Sequence, residues 1–330
     1  MWPIDKDSWQ WSKDPDVLGA FNIPPNQLFS LAMPGEIVGT VTLAASEQSG
    51  LPPGLPVVVT ANDKAVEALG AGLPRTDTGK HTALISLGTY IGGMAYGGKN
   101  VAESEHYFSN MAAIPREYLH ECGGIRNGMA NISWLKELFG TGLADEAEQL
   151  DLSPENLLNK EAAEVAIGAD GLLTIPEWLA PPDQPFKRGA IIGLHNGHNR
   201  AHLYRSMLEA IALTMKNNLD AMHLELGRQA DELIVSGGGA NSDLFMQIFA
   251  DVFGVPVRRN TVPDAAGLGS AICAAVAVGS HDSFASAINN MVDFADSFKP
   301  DEASNRIYDK INRDIYHDIT THTDRILNKI

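Results

Sequence analysis

Between residues 232 and 278 the chain alternates strand and helix, and that stretch restricts its fold more than any other. Glu232-Leu233-Ile234-Val235 has the apolar, β-branched character of a buried strand, and it opens directly into Ser236-Gly237-Gly238-Gly239. Asn241 or Ser242 can cap a helix running to Phe253, with Gly254 just beyond as a stop. A further strand over 255–258 and a small-residue helix over 265–278 follow. Strands alternating with helices in this way indicate an α/β fold.

Upstream the signals are sparser. Val57-Val58-Val59 fits a short buried strand, and a helix is expected over 63–69, ending near Gly70 and Gly72. The run 82–87 is strand-like and leads into Gly88-Thr89. A helix over 128–139 would present Trp134, Leu135, Leu138 and Phe139 on one face. Leu203, Met207, Ile211 and Met215, spaced four apart, mark a long helix over 202–226 that Gly227 ends. Residues 141–188, acidic and then proline-rich, read mainly as loop. Residues 1–55 show little periodicity and read as an irregular arm; Trp2, Trp9, Trp11, Phe21 and Phe29 are expected to expose apolar surface there.

Four motifs have letters suited to chemistry. In Thr60-Ala61-Asn62-Asp63-Lys64 a carboxylate follows a strand, where it can take a proton from a substrate hydroxyl. On these letters alone the favoured reading is that Asp63 caps the next helix. In Ser86-Leu87-Gly88-Thr89 the glycine allows close backbone approach to a phosphate and the threonine adds a donor, although a tight turn explains the same letters. Ser236-Gly237-Gly238-Gly239 through Ser242 forms a surface for a flat base or a phosphate. It has neither the spacing nor the lysine of a Walker loop, and it is not a GxGxxG fingerprint. Three successive glycines carry an entropy cost that a plain turn does not require, which favours binding. His195, His198 and His202 suggest a metal, but no carboxylate or cysteine lies in the same turns and Arg200 repels a cation.

Together these motifs resemble a known family. Gly189-x-Ile191-x-Gly193-Leu194, seven residues, then His202-Leu203-x-x-Ser206-Met207-Leu208-Glu209 is similar to the second signature of FGGY carbohydrate kinases. The Gly50–Val57 segment with Asp63 resembles the family's segment bearing the catalytic aspartate. Gly88-Thr89 resembles its second phosphate motif, Trp134-Leu135-Lys136 its nucleotide-side helix, and Gly237-Gly238-Gly239 through Asp251 its adenosine motif. Ala265 to Ala271 resembles its closing small-residue helix. The resemblance implies a ribonuclease-H-like α/β fold of the actin-like ATPase superfamily. It implies residues 1–55 as a remnant of the sugar-binding domain and 56–330 as the nucleotide-binding domain. It implies ATP and Mg²⁺ as cofactors, Asp63 as base, and Gly88, Thr89, Gly237, Gly238, Gly239 and Ser242 as nucleotide contacts. The substrate would be a sugar or polyol hydroxyl. The chain also departs from the family. The first phosphate motif, Asp-x-Gly-Thr, and the first signature are nowhere in the sequence, Thr60-Ala61-Asn62-Asp63 stands where many members have Gly-Gly-Gly-Asp, and Tyr90 replaces the usual serine. A catalytically inactive nucleotide-binding or regulatory fragment, paired with a missing N-terminal half or with copies of itself, is the alternative.

Charge narrows the partners. With 41 acidic and 24 basic residues the net charge is −17, which disfavours nucleic acid and anionic membrane. Two cysteines imply no disulfide framework. Met1-Trp2-Pro3-Ile4-Asp5 lacks the features of a signal peptide, and no apolar run approaches the ~20 residues of a membrane span. A cytoplasmic setting is expected.

Overall fold

The computed structural model describes residues 3–75 and 79–330. It divides into two compact units, each assembled from discontinuous stretches: 1–79, 95–121 and 264–293 form the first, and 80–94, 122–263 and 294–330 the second.

The second unit is organised on a mixed sheet in the order Phe294–Phe298, Val257–Asn260, Glu232–Ser236, Thr82–Leu87, followed by the start of Ile91–Gly97. The strand Glu232–Ser236 runs parallel to both of its neighbours, with Ser236 opposite Ser86. Its connection to Val257–Asn260 passes through the helix Asp243–Phe253, the crossover that parallel strands require. The helix Arg200–Leu226 starts at Asn199, whose side chain takes the N–H groups of Ala201 and His202, and ends at Gly227 with φ +66°. Every residue from Tyr204 to Leu213 is buried, so this part of the helix has no solvent face and serves as core.

Residues 141–188 correct the expectation of loop. They hold the helices Thr141–Gln149 and Pro154–Ala163 and the strand Leu173–Ile175, which pairs with Ala190–Ile192. Ser153 caps the second helix and Pro154 opens it. A proline there forfeits no hydrogen bond, because the first helical N–H groups have no intrahelical partner. The letter that looks like a breaker is a start.

In the first unit the helices Asp63–Gly70 and Ala265–Ala277 lie backbone against backbone. A Cβ on Gly70 would stand 1.9 Å from the Ala265 carbonyl oxygen, and one on Gly269 would stand 1.9 Å from that of Val66. Only glycine permits that approach. The strand expected to be buried at 57–59 is Pro56–Val58, and it is not buried. It pairs only with Ile37–Thr40 in a two-stranded ribbon, and all four residues of that partner are exposed. The aromatic arm is only partly open. Trp9 is buried, its indole donating to the Tyr118 hydroxyl at 3.1 Å, and Trp11 donates to the Phe29 carbonyl at 2.7 Å. Phe21 and Phe29 are exposed, whereas Trp2 lies outside the described residues.

Candidate nucleotide and acceptor site

Two parallel strands of the second unit end together. Thr82–Leu87 runs into Gly88-Thr89, and its neighbour Glu232–Ser236 runs into Gly237-Gly238-Gly239. Crevices beyond the carboxyl ends of parallel strands are where α/β sheets bind ligands. The three glycines have different reasons to be there. Gly237 has φ +85° and its Cβ would meet the Leu87 carbonyl oxygen at 2.5 Å; that of Gly239 would meet Leu87 Cδ1 at 2.7 Å. Both are demanded by packing between the strand ends. Gly238 is exposed, its φ lies outside the left-handed region, and nothing comes within 4 Å of its Cβ position. Packing explains two glycines and leaves the third without a structural cause.

The floor beside this turn includes residues that the sequence did not single out. Met129 N–H donates to the Gly88 carbonyl at 3.0 Å. A Cβ on Gly128 would come within 2.4 Å of the Gly88 and Thr89 carbonyl oxygens. Ser242 is the helix cap: its hydroxyl accepts from Phe245 N–H at 3.2 Å and donates to Asn159 at 2.9 Å. Tyr90, which stands where the family usually has serine, lies with its ring against Gly92 and Gly124.

Asp63, in the first unit, is not the cap that its position suggested. Asn62 fills that role, its side-chain oxygen accepting from Ala65 N–H at 2.9 Å. Asp63 is the first helical residue. Its carboxylate is exposed and accepts the adjacent Lys64 N–H at 2.9 Å. An anion in the first turn is stabilised by the helix dipole, and the outward face of the carboxylate stays free to accept a proton. Glu121 is electrostatically coupled to Asp63: burial raises its carboxyl above the usual range, Asn110 opposes that by hydrogen bonding, and Lys64 and Asp63 act on it in opposite senses.

The model of the FGGY family of carbohydrate kinases, C-terminal domain, matches residues 83–278. The chain belongs to this family. The sugar kinase YgcE of Escherichia coli (strain K12) is 48% identical over 329 residues, covering 100% of this chain and 66% of the relative. A xylulose kinase of Lactococcus lactis is 29% identical, covering 99% of this chain and 62% of the relative. The chain therefore spans slightly less than two thirds of the length of these relatives. Among solved structures, xylulose kinase from Rhodospirillum rubrum superposes with TM-score 0.80 at 27% identity, over 98% of this chain and 65% of that one. The fold is the ribonuclease-H-like α/β architecture of the actin-like ATPases.

The FGGY signature segment also becomes intelligible. Glu209 is buried and gathers three donors: Arg205 Nε at 2.7 Å, the Tyr308 hydroxyl at 2.9 Å, and Gly168 N–H at 3.1 Å from both oxygens, while Arg205 also reaches the Tyr308 oxygen at 2.8 Å. Burial pushes the Glu209 carboxyl up and these partners pull it down. Gly193 has φ +94°, and its Cβ would meet the Gly171 carbonyl oxygen at 2.5 Å. The signature thus ties the long helix, the 168–171 turn and the C-terminal helix Glu302–Ile311 together. Its histidines receive a carboxylate from outside their own turns, because Asp170 stands 3.2 Å from His202 Nε2. The rings of His195 and His198 lie with centroids 3.7 Å apart, His198 Nε2 also faces Asp170, 3.4 Å from its carbonyl oxygen, and His202 Nδ1 engages Asn199 at 2.9 Å.

Proposed function

We propose that the chain supplies the nucleotide-binding and proton-accepting parts of an ATP-dependent carbohydrate kinase acting on a sugar or polyol hydroxyl. The observation that supports this best is the pair of parallel strand ends carrying Gly88-Thr89 and Gly237–Gly239, with Gly238 open. Backbone N–H groups of these turns would hold the phosphates, and the Gly239–Ser242 turn the adenosine. Bound Mg²⁺ would neutralise phosphate charge. Asp63 would take the hydroxyl proton as the acceptor oxygen bonds to the γ-phosphorus and the bond to the ADP oxygen breaks. Residues 1–55 would be a remnant of the sugar-binding domain and 56–330 the nucleotide-binding domain, in a cytoplasmic protein.

A second reading, nucleotide binding without turnover by these 330 residues, is favoured by one observation. Val38 and Leu43, 57% and 73% exposed, head a series of apolar side chains on the first unit that includes Ile37, Leu55 and Val57. Such a patch suits a covering partner, either the remaining third of a relative-sized kinase or another copy. Sugar-dependent ADP release separates the two. We expect none from the 330-residue chain and restored release when it is joined to the complementary part of a close relative. Release by the chain alone, lost on Asp63→Asn, would refute the second reading; no release after joining would refute the first.

A further inference from the structure

The second unit holds a cavity of about 350 Å³ that none of the residues assigned to nucleotide or acceptor line. Its walls come from the 123–126 turn, the 175–187 segment, the middle of the helix Arg200–Leu226 and the start of the helix Ile319–Leu327. The volume falls in the range of small-molecule sites.

Its chemistry selects a ligand class. Lys187 stands 3.4 Å from both Glu177 and Asp324, so its charge is already shared by two carboxylates. Arg126 at the rim is exposed and has no ion-pair partner among the described residues. Counting Asp324, which pairs with Lys187 from outside the lining, two cations face two anions, so the region has no net positive charge to favour an anion on a chain of net charge −17. The remaining polar lining includes Thr214, Asn218 and Thr320, groups that both donate and accept, beside the donor-only Arg126 and the acceptor Glu177. An apolar wall of Pro176, Leu179 and Pro181 faces the same space. Hydroxyl groups, which donate and accept at once, satisfy such a mixture, and C–H faces fit the apolar wall.

We propose that this cavity is a binding site for a small neutral polyhydroxylated molecule, a sugar or polyol, independent of the phosphotransfer site. The inference does not rest on the function proposed above. Leu179 is 52% exposed, so the fold tolerates substitution there while a long side chain fills the cavity mouth. Saturation-transfer NMR on the 330-residue chain with glycerol, ribitol, D-xylose and D-glucose, and with glucose 6-phosphate as the anionic arm, tests it. Expected is binding of at least one neutral compound with a dissociation constant of about 1 mM. Leu179→Arg and Arg126→Ala should each weaken it by about tenfold or more with unchanged far-ultraviolet circular dichroism. No neutral binding, binding of the phosphate ester only, or binding that survives Leu179→Arg and disappears with Asp63→Asn would each overturn the site.

Discussion

Substituting the three glycines one at a time separates binding from folding at the Gly237–Gly239 turn. Alanine at Gly237 would be held at φ +85°, where a non-glycine residue costs about 1–3 kcal/mol, and its Cβ would press to 2.5 Å from the Leu87 carbonyl oxygen. Gly239→Ala meets Leu87 Cδ1 and Cβ at 2.7 and 3.0 Å, and the side chain must shift to accommodate it. Both variants should melt earlier with or without ligand. Gly238→Trp has no atom within 4 Å of its first carbon, so its folding penalty should stay within about 0.5 kcal/mol, as at other surface positions. Its indole would occupy the open space that the proposed function gives to nucleotide. Titration calorimetry with Mg·ATP and Mg·ADP should then show weak binding by the parent and at least a tenfold loss in Gly238→Trp, which is about 1.4 kcal/mol. The Gly237 and Gly239 variants should lose stability first. If Gly238→Trp binds nucleotide as well as the parent, the glycine turn is a plain strand-to-helix connection and the nucleotide assignment fails.

Three other outcomes are expected. Asn62→Ala should destabilise the first unit by about 1 kcal/mol in a denaturant melt, because it removes a cap, whereas Asp63→Asn should leave stability nearly unchanged and reduce turnover of the joined enzyme by about 100-fold or more. Glu209→Ala should cost about 3–5 kcal/mol, since it strands buried Arg205, and urea unfolding should show it; a loss below 1 kcal/mol would mean that the network is slack. Burial depresses the His223 imidazole below its ordinary range, so the unfolded chain takes up a proton first and stability should fall as pH drops through and below about 6.5. In His223→Leu, thermal melts across that range should lose this component of the slope.

What the sequence made legible was local. The strand at 82–87, the helix from Asp63, the stop at Gly227 and the glycine turn each announce themselves within a few letters, and the structure has them at those places. The errors arose where one letter has two meanings or where a partner lies far along the chain. Pro154 signals a helix start only when Ser153 is seen to cap it. Asn62 and Asp63 are equally good caps by type, and only the bond to Ala65 N–H decides between them. Val57 looks like core because it is β-branched, yet its strand pairs with one neighbour and its side chain is exposed. Trp9 finds Tyr118, and His202 finds Asp170, at separations that no periodicity encodes. At the glycine turn the letters were readable, but that Gly237 and Gly239 pack against Leu87 while Gly238 stands open was not.

The contact between the helices at Gly70 and Gly269 gives Asp63 an unusual kind of guardian. The carboxylate sits at one end of a two-turn rod whose other end is pressed, main chain to main chain, on a helix encoded two hundred residues later. A single added methyl at Gly269 would have to push Val66 away by more than an ångström for ordinary contact, and the rod would carry Asp63 with it. In the reaction proposed above, which would be sensitive to misplacement of about that size, the late helix would act as a gauge for where Asp63 collects its proton. Tolerance to change there should be read in reaction geometry before it is read in melting temperature.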